Sequence, residues 1–377
     1  IADGKMEATL IPTADITVTP DKTVSDRAAA IQKEIDDDYG TVFAKTEVAL
    51  DGEKANVRTG ETNLGNLIAD ALVWGAEETG EQVDAAVTNG GGIRASIAAG
   101  DITKKDINTV LPFGNTLSIV KVTGAELLEA LEASTYCTPE SIGGFPQVSG
   151  IEFTVNAAKA YDQGELYPGS TYYAPKSINR VTIQTVGGKA FDPEATYTIA
   201  TNDFMAAGGD TYYAFSAATV NYDLGLAMDE VVMDYITDEL GGTVTAKDYG
   251  AAQGRITIQG VNPFTDVTSA SPYYEGILWA VDQDITNGTT ATTFSPANPC
   301  TRAQIVTFLW RAAGSPEPTL TEQQYTDVTN TNAYYYKALL WAAEQKMETG
   351  ETFRPDDPCT RMEAVYFMWC AAGSPET

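Results

Sequence analysis

Three loops in the 377-residue chain set glycine beside a side chain able to grip a ligand. The first is Asn89-Gly90-Gly91-Gly92-Ile93-Arg94. Successive glycines let backbone approach a ligand and turn N–H groups toward an anion. Arg94 adds a fixed fork of donors for carboxylate or phosphate. A plain strand-to-helix turn with a surface arginine fits the same residues. The spacing is neither G-x-G-x-x-G nor a P-loop, so neither dinucleotide nor Walker chemistry follows. The second loop, Leu111-Pro112-Phe113-Gly114-Asn115, either pushes an aromatic ring toward a ligand or tucks it into the core. In the third, Phe204-Met205-Ala206-Ala207-Gly208-Gly209-Asp210, the glycine pair bends the chain so that Phe204 and Asp210 can face one pocket. A ring with a carboxylate at its edge suits a heterocycle or a sugar: stacking on the face, hydrogen bonds at the rim.

What the chain lacks narrows the chemistry further. It contains no histidine, which removes histidine general bases, Ser-His-Asp triads and imidazole metal sites. Its 52 acidic and 23 basic residues give a net charge of −29. That field repels phosphate backbones and anionic lipid, so long nucleic acid and membrane surfaces are not expected partners. Cys137, Cys300, Cys359 and Cys370 show neither metal spacing nor a disulfide framework; Cys300 and Cys359 read as small hydrophobes. No apolar run is long enough to span a bilayer. The opening Ile-Ala-Asp-Gly-Lys has no signal-peptide regions, so the expectation is a processed or missing start.

The elements that must position these loops alternate. Residues 21–39 form a polar helix candidate with a thin apolar line, and read as a connector. Thr62 or Asn63 opens a helix carrying Leu64, Leu67, Ile68, Ala71 and Leu72 on one face. Strands are expected at 83–88, 117–122, 151–155, 181–185 and 197–201, and a closing helix at 224–236. Thr123-Gly-Ala-Glu126 is a capping box. Beyond residue 260 a repeat takes over. Phe264-Thr-Asp-Val267 recurs as Tyr325-Thr-Asp-Val328, Trp279 as Trp341, Thr301-Arg302 as Thr360-Arg361, and Ala312-Ala-Gly-Ser-Pro316 as Ala371-Ala-Gly-Ser-Pro375. The offset is 62 positions at Trp279 and 59 at Thr301, so a small indel lies between Gly288 and Phe294. Each unit reads as helix, loop, helix, with Thr301 and Thr360 as N-caps.

Taken together, in order and spacing, the three loops plus Arg58-x-x-Glu61-x-Asn63-x-Gly65-Asn66 and Phe145-Pro-Gln-Val-Ser-Gly150 resemble the C-terminal, substrate-binding domain of the 5′-nucleotidase family. The resemblance implies an α/β (α+β) domain over 41–257 behind a connector at 1–40. It implies a nucleoside or nucleotide as ligand. Phe113 and Phe204 would sandwich the base, Asp210 would bond the ribose hydroxyls, and Arg58, Asn89, Arg94 and Asn115 would contact phosphate, ribose or base. Gly91 and Gly92 would admit backbone. Members of the family carry an upstream domain holding two divalent ions by Asp, His and Asn, which activate water and clamp the phosphate. Nothing before residue 41 matches it. The expectation is a downstream part of an extracellular phosphohydrolase of nucleotide catabolism, inactive alone and without a cofactor or metal of its own; a non-catalytic surface binder and a structural S-layer-type protein are the alternatives.

The repeats, at 258–318 and 319–377, resemble S-layer homology (SLH) modules, small all-α repeats that bind secondary cell-wall polysaccharide. By that resemblance Arg302 and Arg361 would contact acidic sugar, and the chain would be extracellular and wall-associated. A salt bridge at a helix N-terminus is the other reading of each arginine. Gln304 departs from the acid usual at its position. Asp266 and Asp327 read as turn and cap residues.

Overall fold

The computed structural model describes Pro12 and residues 15–376; the expected processed start at Ile1 lies outside the described residues. The polar segment is a helix, Lys22–Tyr39, capped by the Asp21 carboxylate, which accepts from Val24 N at 3.1 Å. Its described side chains are exposed on every side, as its composition dictates.

A five-stranded sheet organises the α/β part. Its strand order in space is Val220–Ala227, Thr116–Thr123, Thr196–Asn202, Ala85–Asn89, Pro146–Ser149. Thr196–Asn202 and Ala85–Asn89 run parallel, with Ile199 opposite Ala85, while the other pairings are antiparallel. Alternation along Thr116–Thr123 divides the interior in two. Leu117 and Ile119 face one cluster, which the helix Asn63–Glu78 covers with Leu64, Leu67, Ile68 and Leu72. Val120 and Val122 face the other, covered by the helix Gly124–Ser134 through Leu127 and Leu131. The capping box at Thr123 and Glu126 is present. A four-stranded sheet around Ile151–Asn156 and Val181–Val186 extends the second cluster with Phe153 and Ile183.

One expected element differs. The closing helix at 224–236 is a strand as far as Ala227; helix begins only at Met228. The stretch pairs with Thr116–Thr123, where Tyr222 lies opposite Ile119 and Ala227 opposite Thr116, and Gly225 takes a positive φ of 71° between the two contacts. Completion of the sheet edge overrides the apolar helical spacing.

In each repeat the leading Asp ties its loop to the loop that precedes the second helix. Asp266 accepts from the backbone of Phe294 and Ser295, both at 2.8 Å, and Asp327 from Phe353 and Arg354 at 2.8 and 2.6 Å. The helices are Tyr274–Asp282 and Arg302–Ala312, then Tyr336–Glu344 and Arg361–Ala371.

Arg302 requires a correction. Its side chain is only 1% exposed and reaches from the first repeat into the second. Nε donates to Phe353 O at 2.7 Å, Nη2 pairs with Glu348 at 2.8 Å, and Nη1 pairs with Glu363. The guanidinium carbon lies 5.2 and 5.1 Å from the ring centroids of Phe353 and Phe367. With three of its five N–H groups engaged and the side chain buried, this guanidinium is not presented to a sugar, so Arg302 is an inter-repeat latch instead of a glycan contact. The salt-bridge reading describes it, except that the carboxylates come from the neighbouring repeat. Arg361 is exposed.

Glu363 is held down to about 2 from an ordinary 4.5, first by the Thr360 N–H, then by the Thr360 hydroxyl, Arg302 and Arg354, against a burial penalty. A depressed carboxyl pKa stabilises the fold above its unfolded value and loses that contribution as pH falls toward the folded one. Thermal denaturation of the repeat pair should therefore be level above about pH 5 and decline from there to about pH 2. In Arg302→Ala the decline should shrink and the pair should lose about 3 kcal/mol at neutral pH, since Glu348 loses its cation, Glu363 keeps only Arg354, and the space between the Phe353 and Phe367 rings is emptied.

Candidate nucleoside-binding cleft

The parallel strand pair sets the site. Ala85–Asn89 and Thr196–Asn202 end side by side, and Thr116–Thr123 begins at that same edge, with Leu117 opposite Asn202. Pro146 lies opposite Asn89, which brings the preceding Gly143-Gly144 turn there too. Ligand crevices form at such carboxyl ends of parallel strands. A cavity of about 440 Å³ opens here, lined by Arg58, Asn89, Gly91, Gly92, Phe113, Asn115, Gly143, Tyr172, Phe204 and Asp210. Of the residues expected at the site, only Arg94 is missing from this lining. It stands at the rim, its guanidinium 5.7 Å from the Phe113 centroid and Nη1 donating to Gly91 O at 3.3 Å.

Both rings are open to solvent: Phe113 is 62% exposed and Phe204 44%. Neither stacks on another aromatic ring among the described residues. Leaving two phenyl groups uncovered on facing loops costs apolar burial, which marks a surface awaiting a flat partner. The glycine pair explains how Phe204 is held. Gly208 takes a positive φ of 88°. A Cβ on Gly209 would stand 2.5 Å from Phe204 Cζ and 2.6 Å from Cε1 and Cε2, so the ring rests directly on bare backbone. Asp210 follows with φ 51°, a left-handed conformation rare outside glycine, asparagine and aspartate.

A relay of side chains fixes the polar rim. Asn202 Nδ2 donates to Asn89 Oδ1 at 3.1 Å, and Asn89 Nδ2 donates to Asp210 Oδ2 at 3.0 Å. Asn202 Oδ1 meanwhile caps the short Phe204 helix, accepting from Met205 N at 2.8 Å. Asp203 accepts from Asn115 Nδ2 at 2.7 Å and from Thr116 N at 3.2 Å, which orients Asn115. Burial raises the Asp210 carboxyl; the Asn89 bond and Arg58 oppose this. Burial and then the nearby Arg94 lower Arg58, while Asp210 counters them. Among the described residues nothing bonds the Arg58 guanidinium, and its Nε is buried without a partner. A cation left free at a cavity wall is a ready counter-charge for an anion.

The remaining motif residues are structural. Asn63 Nδ2 donates to Ala49 O and Tyr249 O, both at 2.9 Å; Glu61 accepts from Asn66, Gln253 N and Ile256 N. Gln147, fully buried, donates to Val57 O at 3.1 Å and Gly60 O at 2.8 Å and so braces the turn carrying Arg58. Sequence reasoning missed Tyr172 and Gly143 on the wall and Asp203 and Asn202 behind it. The Gly143-Gly144 pair was the one visible signal; Tyr172 sits among many tyrosines and gave none.

The comparisons with known proteins agree with this geometry. Residues 42–217 match the 5′-nucleotidase, C-terminal domain, and residues 263–306 and 324–365 match the S-layer homology domain. The Trifunctional nucleotide phosphoesterase protein YfkN of Bacillus subtilis is 39% identical over 228 residues, covering 60% of this chain and 14% of its own. The 5′-nucleotidase of Vibrio cholerae is 34% identical over 194 residues, 52% of this chain and 30% of its own. Cell wall protein Lmo0130 of Listeria monocytogenes is 30% identical over 252 residues, 63% of this chain and 29% of its own. The crystal structure of a 5′-nucleotidase precursor from Thermus thermophilus superposes with a TM-score of 0.52 at 33% identity, over 63% of this chain and 44% of that one. This chain therefore carries a 5′-nucleotidase C-terminal domain followed by two S-layer homology segments. It spans less than half the length of each of these relatives.

The contact between Gly209 and the Phe204 ring has a measurable consequence. Gly209→Ala should displace the ring, read as altered Phe204 aromatic proton shifts, yet change unfolding free energy by less than about 1 kcal/mol, because the ring is not part of the core.

Proposed function

We propose that this chain recognises a nucleoside or nucleotide in the cleft between Phe113 and Phe204, and that it is the recognition and wall-attachment portion of an extracellular phosphohydrolase of the 5′-nucleotidase type. The observation that carries this reading is the pair of uncovered rings on one cavity with a carboxylate at one side and an unbonded arginine at the other. A base between the rings gains roughly 1–3 kcal/mol per stacking contact and tolerates more than one base. Asp210, held by Asn89, accepts from ribose hydroxyls. Arg58, with Arg94 at the rim, faces the phosphate. Among the described residues no group of three or more His, Cys, Asp or Glu is placed to hold a metal ion. On this reading hydrolysis, and the two divalent ions it would use, belong to a domain of the family other than this one. A non-catalytic surface binder of nucleotides rests on the same cleft.

Attachment to wall polysaccharide, and with it an extracellular site, is supported by the S-layer homology segments. With Arg302 buried, the cation best placed for an acidic sugar is Arg311. It lines a cavity of about 550 Å³ beside Thr289, Ser295, Asn298, Phe308 and Tyr334, a hydroxyl- and amide-rich wall with aromatic faces. No helix among the described residues is long and apolar enough to cross a membrane.

Titration calorimetry should show weak adenosine and AMP binding, none for a plain sugar, and no phosphate release from AMP with added divalent metal. Phe113→Ala with Phe204→Ala should abolish the binding heat. Unchanged binding in that variant would overturn the cleft assignment. In co-sedimentation with purified cell walls, Arg311→Ala should leave most of the protein in the supernatant, whereas full sedimentation would place attachment elsewhere.

A further inference from the structure

One wall of the cleft comes from a stretch that no motif announces. Residues 157–178 leave the four-stranded sheet as an arm whose strands, Gln163–Leu166 and Tyr173–Pro175, pair with each other and with no other described strand. Tyr167 anchors it: the side chain is buried, its hydroxyl donates to Glu129 at 2.8 Å, and its ring stacks on Tyr213 at 4.9 Å. Tyr161 closes the arm on itself, its hydroxyl donating to Tyr173 O at 2.7 Å. Between these fixed points Tyr172 N donates to Ser170 Oγ at 3.1 Å, and Tyr172 O accepts from Tyr167 N at 2.9 Å. The Tyr136 ring meets the Tyr172 ring edge-on, with centroids 6.4 Å apart. Backbone and ring of Tyr172 are thus both held. Tyr161 and Tyr167 commit their hydroxyls to the fold; the Tyr172 hydroxyl makes no hydrogen bond among the described residues.

The charged neighbour of that hydroxyl is Asp210. Tyr172, Gly143 and Asp210 line the same cavity. A Cβ on Gly143 would stand 3.6 Å from Asp210 Oδ2, so bare backbone flanks the carboxylate. Burial chiefly, and then the Asp210 charge, raise the Tyr172 phenol, which keeps it protonated and a donor across the neutral range. An ionised carboxylate only accepts hydrogen bonds. A sugar hydroxyl that gives its proton to Asp210 still has oxygen lone pairs to satisfy, and a phenol is the complementary donor.

Resting on the nucleoside reading of the cleft, we propose that Tyr172 is its sugar-selecting residue: the phenol donates to a ribose hydroxyl whose own proton goes to Asp210, so the cleft favours ribonucleosides over their deoxy counterparts. Removing that hydroxyl from the ligand sets a C–H against two polar groups of the wall and leaves both short of a partner, which is how a polar site rejects an analogue. The rings of Phe113 and Phe204 cannot draw this distinction, since stacking reads the face of the base.

Titrations of the full chain with adenosine, 2′-deoxyadenosine and 3′-deoxyadenosine, followed by the ring proton shifts of Phe113 and Phe204, test this. The unaltered chain should bind adenosine about tenfold more tightly than one of the two deoxy compounds. Tyr172→Phe keeps the ring and its packing on Tyr136 and removes only the hydroxyl. It should weaken adenosine about tenfold and leave that deoxy compound within about twofold of its former affinity, so that the preference collapses. The other deoxy compound, which retains the contacted hydroxyl, should weaken together with adenosine. An unaltered chain without any preference would overturn the proposal whatever the variant does. So would equal weakening of all three ligands in Tyr172→Phe, which a merely structural wall would give, or an unchanged affinity for adenosine. Failure of the underlying cleft assignment looks different: no nucleoside then shifts either ring in the unaltered chain, and both readings fall together.

Discussion

The parallel register of Ala85–Asn89 with Thr196–Asn202 is the constraint from which the cleft follows. In an otherwise antiparallel sheet, two neighbouring strands end at the same edge. Their last residues, Asn89 and Asn202, bond to each other, and the Asp210 carboxylate and the Phe204 turn are both held from that contact. Asn89 reaches Asp210; Asn202 caps the turn that presents Phe204. The antiparallel neighbour starts at that edge and contributes Asn115 and, just ahead of it, Phe113. Stretches distant in sequence converge because one strand pair has one direction.

Much of this was legible beforehand, for physical reasons that differ from residue to residue. Glycine runs at 90–92 and 208–209 announce backbone that a side chain would obstruct. A Cβ at Gly90 would strike Val57 O at 1.8 Å, and at Gly209 it would strike the Phe204 ring. Phe113 and Phe204 could be assigned to a ligand only as a pair within an ordered set of motifs, since each ring alone fits a core as well. Tyr172 could not be found that way, because its place on the wall depends on how residues 157–178 fold back. The helix expected from Leu224 failed because sheet edges are decided by non-local pairing, which periodicity does not register. Arg302 shows the same limit: its motif announces a functional arginine, but only the three-dimensional arrangement shows it buried between phenyl rings and carboxylates.

The two halves of the chain use opposite strategies for their aromatic side chains. In the cleft, rings are left bare and held apart, which sacrifices burial for access. In the repeats, Phe353 and Phe367 close on a guanidinium and become the centre of the smaller core, with Val306 crossing from one repeat into the other. Units this short have little interior, so a charge clasped by rings and paired acids defines their register more sharply than apolar contact alone would.

The arginines at the cleft stand in a molecule of net charge −29. The far field and the near field therefore have opposite signs. At low ionic strength the molecule turns phosphate esters away before the guanidinium of Arg58 can act. At a physiological screening length of about 8 Å only the local attraction survives. On the proposed reading of the cleft, salt, which slows most charge-steered encounters, would speed the arrival of an anion here and leave the entry of an uncharged nucleoside unchanged.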